Sequence, residues 1–200
     1  MSDFIKLKDL CIQICDGEHN TVIDDPMGDY YLLSAKNIKN GHLIINPEEE
    51  RTISEVEMQR VNKRLKLEKY DVLLTSVGTV GETAILMEDK INYVFQRSVA
   101  IFKPDSTKIM PEYLYYSFRS KDFKEYLVMN TTGAAQPCLF LGFLQNIKIE
   151  VVSFEEQKRI CDFLRPFTQQ IELLREQECC LEQEFDMVLP RVMRNENGIL

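Results

Sequence analysis

Across residues 160–188, apolar side chains recur at alternating steps of four and three: Ile160, Leu164, Phe167, Ile171, Leu174, Leu181, Phe185 and Val188. Glu178 occupies the one polar position in this seam. The spacing is a heptad repeat, and it predicts roughly 40 Å of helix with a single narrow apolar stripe. A stripe of this kind can fold back onto its own domain. Four heptads with no second long amphipathic helix in the chain favour a companion helix instead. Ser153 and Glu156 form a capping box that starts the segment. Pro166 lies inside the pattern, where a lost amide and a steric clash predict a short helix, a kink, then the long one. Pro190 should end the seam.

Upstream the periodicity changes from helical to strand-like. Strands are expected at residues 30–34, 42–45, 71–76, 79–87, 99–103 and 146–152. In the last, Ile147, Ile149 and Val151 alternate with Asn146, Lys148 and Glu150. Ser54 and Glu57 make a second capping box, with Ile53 and Met58 as a hydrophobic staple, so a helix should run over residues 55–63. Pro111 suits the first turn of another helix, since its missing amide would be unpaired there anyway. Ser120 caps a third helix, which reaches about residue 129 before Thr131-Thr132-Gly133 breaks it. The pattern gives an α+β chain: a strand-rich body over residues 1–152 and a helical appendage over 153–200.

With 200 residues and 44% hydrophobic content the chain can bury one good core. Its formal net charge of -8 argues against a nucleic-acid partner until its distribution is considered. Residues 150–200 hold 6 basic and 11 acidic side chains, whereas Arg60, Lys63, Arg64, Lys66 and Lys69 face only Glu68 between positions 58 and 70. A second basic stretch runs from Lys90 to Lys124. Six cysteines and two histidines lack zinc-knuckle spacing, so neither a metal nor a cofactor is expected, and the thiols should be reduced. No signal-peptide block or membrane span is visible, which predicts a cytoplasmic setting.

Three local patterns fall where a strand-rich scaffold would present loops. They are Asp16-Gly17-Glu18-His19, residues 34–41 (Ser-Ala-Lys-Asn-Ile-Lys-Asn-Gly), and residues 70–81 (Tyr-Asp-Val-Leu-Leu-Thr-Ser-Val-Gly-Thr-Val-Gly). Thr132-Gly133-Ala134-Ala135-Gln136-Pro137 follows, then Glu155-Glu156-Gln157-Lys158-Arg159-Ile160 opening the heptad helix. This succession resembles the DNA specificity subunit of type I restriction-modification systems over almost the whole chain. In that family a target-recognition domain precedes a long helix, usually twice per chain, with the two helices packed antiparallel. Here the unit occurs once. Tyr70 stands where the family commonly has glycine, Ser153 where it has proline, and Phe4 where it has tryptophan. The resemblance implies a non-catalytic protein that selects double-stranded DNA for separate methyltransferase and restriction subunits.

Other readings remain at this point. Asn46-Pro47-Glu48-Glu49 begins like an amine-methyltransferase motif but lacks its aromatic. Asp71 with Glu88-Asp89-Lys90 could hold magnesium in a nuclease, and a coiled-coil adaptor with a protein-binding body is a third possibility. For DNA, the expected phosphate contacts are Lys36, Lys39, Arg60, Lys63, Arg64 and Arg97, with Thr75, Ser76 and Thr79 as neutral partners. Asn37, Asn40, Gln96, Arg97 and Gln136 have the side-chain chemistry to read base edges. Two identical chains joined along the seam would carry two identical reading domains and address an interrupted palindrome, the helix length setting the gap. The acidic tail would then face protein, the methyltransferase subunit first.

Overall fold

The computed structural model describes residues 3–131 and 137–194, and the chain divides into two compact units, Met1–Lys158 and Arg159–Leu200. In the first, strands β2 (Cys11–Asp16), β7 (Val72–Thr75), β8 (Thr83–Ile85) and β10 (Val99–Pro104) form an antiparallel sheet in the order β2-β10-β7-β8. Strands β3 (Tyr30–Leu33), β6 (Arg51–Ile53) and β9 (Tyr93–Phe95) form a second sheet, β6-β3-β9, in which β3 and β9 run parallel. Two ribbons complete it: β1 (Asp3–Lys6) with β11 (Lys148–Val151), and β4 (Ile38–Lys39) with β5 (His42–Leu43). The first ribbon ties the start of the unit to the strand that precedes the long helix.

One apolar cluster joins the two larger sheets. Leu32, Leu33, Ile53, Leu73, Val94, Phe95, Val99 and Ile101 come from the strands, and helix α2 (Glu55–Leu65) adds Met58, Val61 and Leu65. Ser54 caps α2 by accepting from the Glu57 amide at 3.4 Å. The Glu57 carboxylate accepts from Arg60 and from the Ile23 amide, which anchors the loop before β3 to the first turn of the helix. Helices α3 (Pro111–Arg119) and α4 (Lys121–Met129) begin at Pro111 and at the Ser120 cap, whose oxygen accepts from the Phe123 amide. The turn α1 (Leu7–Leu10) buries Leu7 and Leu10.

Several expected boundaries move. The strand over 79–87 shrinks to β8 because Gly78 and Gly81 adopt φ of +82° and +92°, spending residues 78–81 on a turn. The strand over 146–152 starts only after helix α5 (Leu141–Asn146). The long helix α6 is assigned without a break over Phe154–Met193, with Pro166 and Pro190 inside it. This corrects both the expected division at Pro166 and the stop at Pro190. Each proline removes one amide donor, and the residues one turn earlier, Asp162 and Asp186, are exposed, where water can reach a backbone carbonyl. No helix among the described residues is long and apolar enough to cross a membrane.

Candidate nucleic-acid interface

Strand β9 belongs to one sheet and β10 to the other, so the chain crosses between them in residues 96–98. All three singled-out loops are stitched to this crossing. The Arg97 amide donates to the Glu18 carbonyl at 3.0 Å, and the Gly17 amide donates to Val99 at 2.9 Å. The Gln96 amide donates to the Leu33 carbonyl at 2.8 Å, and the Ala35 amide to the Ser98 hydroxyl at 3.0 Å. The Ser76 amide donates to the Ser98 carbonyl at 2.9 Å. Beyond Ser76 the pattern continues, with Leu139 donating to the Ser76 carbonyl at 2.8 Å and Gly78 to that of Pro137 at 3.0 Å. Gly17 fits this close approach because a β-carbon there would collide with the Gln96 carbonyl.

The crossing borders a polar cleft of about 270 Å³ lined by Glu18, His19, Asn20, Arg51, Gln96 and Arg97, among others. Arg97 is exposed and makes no ion pair among the described residues, while Gln96 is half-buried. Burial disfavours the Glu18 carboxylate, yet hydrogen bonds from the Asn20 amide and side chain, with the charges of Arg64 and Arg60, outweigh it and hold the carboxyl below its ordinary value. Asp16 shows the opposite balance, because burial raises its carboxyl further than His19 and Arg64 lower it. Arg51 reaches this cleft while pairing with Asp24 at 2.6 Å. His19, Asn20 and Arg51 were not nominated from sequence, although the Asp16-Gly17 turn had marked the place of the first two.

The other nominated residues separate into three groups. Lys39 and Lys63 are exposed and make no ion pair among the described residues, and Thr79 is exposed on the turn after β7. Asn40 is exposed at the β4–β5 turn, where its amide donates to Glu82 at 2.6 Å and the turn is held by Tyr115 donating to the Gly41 carbonyl at 3.0 Å. Lys36, Arg60 and Arg64 are exposed but engaged. Lys36 pairs with Glu50 at 2.9 Å and Arg60 with Glu57 at 2.9 Å, while Arg64 donates to the carbonyls of Asp16 and Gly17 at 3.0 and 2.7 Å.

Three nominations need correcting. Asn37 is buried, its oxygen accepting from the Ser34 amide at 2.9 Å and its nitrogen donating to Ile44 and Glu50 at 3.1 and 2.6 Å, so its amide is used inside the fold. Thr75 and Ser76 are buried in the sheet, and the Thr75 hydroxyl donates to the Thr79 carbonyl while accepting from the Glu82 amide at 2.9 Å. None of the three side chains is presented to a phosphate or a base. Gln136 lies outside the described residues.

The nuclease geometry is not assembled. Asp71 is buried and pairs with Lys103 at 2.7 Å, burial raising its carboxyl despite that partner, and Asp89 pairs with Lys69 at 2.9 Å. No group of three or more His, Cys, Asp and Glu side chains suited to a metal occurs among the described residues. In the second unit, Phe167, Ile171, Leu174, Leu181, Phe185 and Val188 are exposed along α6, and Ile160 and Leu164 are half-buried.

Residues 2–183 match the family model described as "Type I restriction modification DNA specificity domain". The specificity subunit of the type I restriction enzyme EcoBI from Escherichia coli is 30% identical over 178 residues, 88% of this chain and 35% of that protein. The MjaIX specificity subunit from Methanocaldococcus jannaschii is 31% identical over 157 residues, 78% of this chain and 35% of that protein. In fold, 99% of the chain superposes on 47% of the S subunit of a type I restriction-modification system from M. genitalium, with a TM-score of 0.67 at 14% identity. The chain thus spans about a third of the length of the curated relatives it matches. With a match that runs from the first strand through most of the long helix, the chain belongs to the type I restriction-modification DNA specificity domain family.

Proposed function

We propose that this chain is a non-catalytic DNA reader that directs separate methyltransferase and restriction subunits of a type I system to their target, in a cytoplasmic setting. The observation that carries this reading is the convergence of the 16–19, 34–41 and 70–81 loops on residues 96–98, beside a polar cleft and an exposed Arg97. Loops fixed on a rigid scaffold are where recognition side chains are best placed. Lys36, Lys39, Arg60, Lys63, Arg64 and Thr79 supply contacts to phosphate, which set position and carry the salt-dependent affinity. Gln96, Arg97 and Asn40, with Gln136, supply base-edge chemistry. The exposed seam of α6 takes a companion helix.

The test is to express the chain with its methyltransferase subunit and map methylated adenines across the host DNA. A defined sequence motif that disappears when the chain is omitted supports the reading. Binding of the reconstituted pair to mixed duplex DNA should weaken steeply between 50 and 200 mM salt, by about 1,000-fold if six phosphates are neutralised. Methylation without sequence preference, or no salt-sensitive DNA binding, would instead favour a protein-binding adaptor.

A further inference from the structure

Glu18 bridges to Gln96 in parallel register, its amide donating to the Phe95 carbonyl at 2.7 Å and its carbonyl accepting from Arg97 at 3.0 Å. The Glu18 carboxylate is buried and turns toward the residues that follow it. Its Oε1 accepts from the Asn20 backbone amide at 2.9 Å and from Asn20 Nδ2 at 2.7 Å, while Oε2 lies 3.7 Å from the Arg64 guanidinium. These hydrogen bonds and the neighbouring cations, which hold the carboxyl below its ordinary value, keep it ionised at neutral pH. An ionised carboxylate can only accept, so it decides which end of the amide faces it. The Asn20 nitrogen is drawn inward and Oδ1 is turned away. Asn20 is exposed, and its second Nδ2 proton and its Oδ1 make no hydrogen bond among the described residues.

We infer that Asn20 is a specificity-determining residue that reads one adenine in the major groove, held in its reading posture by Glu18. The groups left over on Asn20 are one donor and one acceptor on a planar amide, the pair that adenine N7 and the N6 amine complete. Guanine sets O6 where adenine has its amine, so Oδ1 would meet another acceptor. Cytosine and thymine each offer only one hydrogen-bonding group there. Two internal hydrogen bonds already fix the Asn20 side chain, so little rotamer freedom is lost when it binds. Glu18 does not reach the duplex and acts as a positioning residue. Other polar side chains of the cleft are engaged within the fold: Arg51 with Asp24 and the Val22 carbonyl, and His19 with Asp16 at 3.4 Å.

The adenine in question is not the methylated one. A methyltransferase draws its target base out of the stack, which removes that base's edge from the groove, so Asn20 needs an A·T pair that stays stacked. The pairing of residues 18 and 96 also limits where this pair lies. Paired segments run about 4.8 Å apart and bases rise about 3.4 Å per step. The adenine read by Asn20 and a base read by Arg97 therefore fall within about three base pairs of one another.

This inference rests on the DNA reading of the proposed function, and a motif methylated by the wild-type chain with its methyltransferase subunit supports that reading whatever Asn20 does. Asn20→Ala should make one A·T position of the motif degenerate and leave the others intact, the preference for that pair falling from roughly 10- to 100-fold to near unity. In binding by the reconstituted pair, 7-deazaadenine at the same position lacks the N7 acceptor. It should weaken the wild-type complex about tenfold and the Asn20→Ala complex not at all. Glu18→Gln can also donate, which lets the Asn20 amide turn over. It should relax the same position several-fold and add nothing in the Asn20→Ala background, whereas a purely structural Glu18 would lower methylation of all sites alike in both backgrounds. An unchanged motif for Asn20→Ala, uniform loss of methylation at every site, or indifference of the wild-type complex to 7-deazaadenine at every stacked position overturns the inference and leaves the DNA reading standing. A wild-type chain without a motif overturns both.

Discussion

Arg97 combines position and freedom: its amide is fixed to the Glu18 carbonyl while its guanidinium remains exposed beside the cleft. A bidentate guanidinium contact to guanine discriminates against the wrong base by about 1–3 kcal/mol. Arg97→Ala should therefore relax the methylated motif at one G·C position while leaving affinity for random DNA nearly unchanged, read by methylome sequencing and by binding to mixed duplex. Lys63→Ala, at an exposed cation on α2, should instead weaken all sequences alike and reduce the salt slope by about one. Tyr70 gives a different kind of prediction. Its φ of +73° lies in the left-handed region, where an L side chain costs about 1–2 kcal/mol, at the position where the family resemblance calls for glycine. Tyr70→Gly should stabilise the unit by about 1 kcal/mol, measured by urea denaturation. The 16–18 turn also carries a pH signature. Glu18 has a lowered carboxyl value, so its stabilising contribution is complete above the ordinary glutamate range and is lost as pH falls through the folded-state value. Asp16, with a raised value, works in the opposite sense, its contribution being present at low pH and lost as pH rises through that value. Glu18→Gln should flatten the acid limb of thermal stability against pH, and Asp16→Asn should leave that limb in place.

The elements that local chemistry specifies were legible in the chain. Serine caps at 54, 120 and 153 and the proline at 111 start the helices where the sequence put them. The missed strands have local reasons for being hidden. Strand β2 alternates Cys11-Ile12-Gln13-Ile14-Cys15, but Ile12 is exposed, so apolar residues occupy both faces and the two-residue period is blurred. Strand β9 has only three residues, all buried, too few for any period. The candidate site was legible as loops and partly as residues. Gln96 and Arg97 could be named from their chemistry, whereas the burial of Asn37, Thr75 and Ser76 depends on pairings with Ile44, Glu50 and Glu82, which no local pattern announces. In α6 the heptad was plain, and the continuity through Pro166 and Pro190 was not, because a proline's cost depends on whether the orphaned carbonyl can reach water. Glu178 belongs to the same argument. Glu178→Leu completes the apolar seam and should tighten self-association, by about 2 kcal/mol for each leucine newly buried.

Two copies related by a twofold axis present the same reading surface twice, in opposite orientations, and a duplex with matching symmetry is the one both copies can contact alike. The target predicted for the self-paired chain is therefore an interrupted palindrome: two identical half-sites, inverted, separated by base pairs that neither copy reads. A reader built from two different recognition domains has no such constraint and yields unrelated half-sites. Methylome sequencing of a host expressing this chain with its methyltransferase subunit distinguishes the two outcomes directly. The symmetry also couples the consequences of a mutation. Arg97→Ala in an identical pair should relax both half-sites at the mirrored position, whereas with a different companion it would relax only one. A host expressing wild-type and Arg97→Ala chains together would then also contain a mixed pair, a reader relaxed in a single half-site. Loss of specificity at one mirrored position in the heterodimer, and at both in the homodimer, would tie the loop crossing at residues 96–98 and the helix seam to one recognition event.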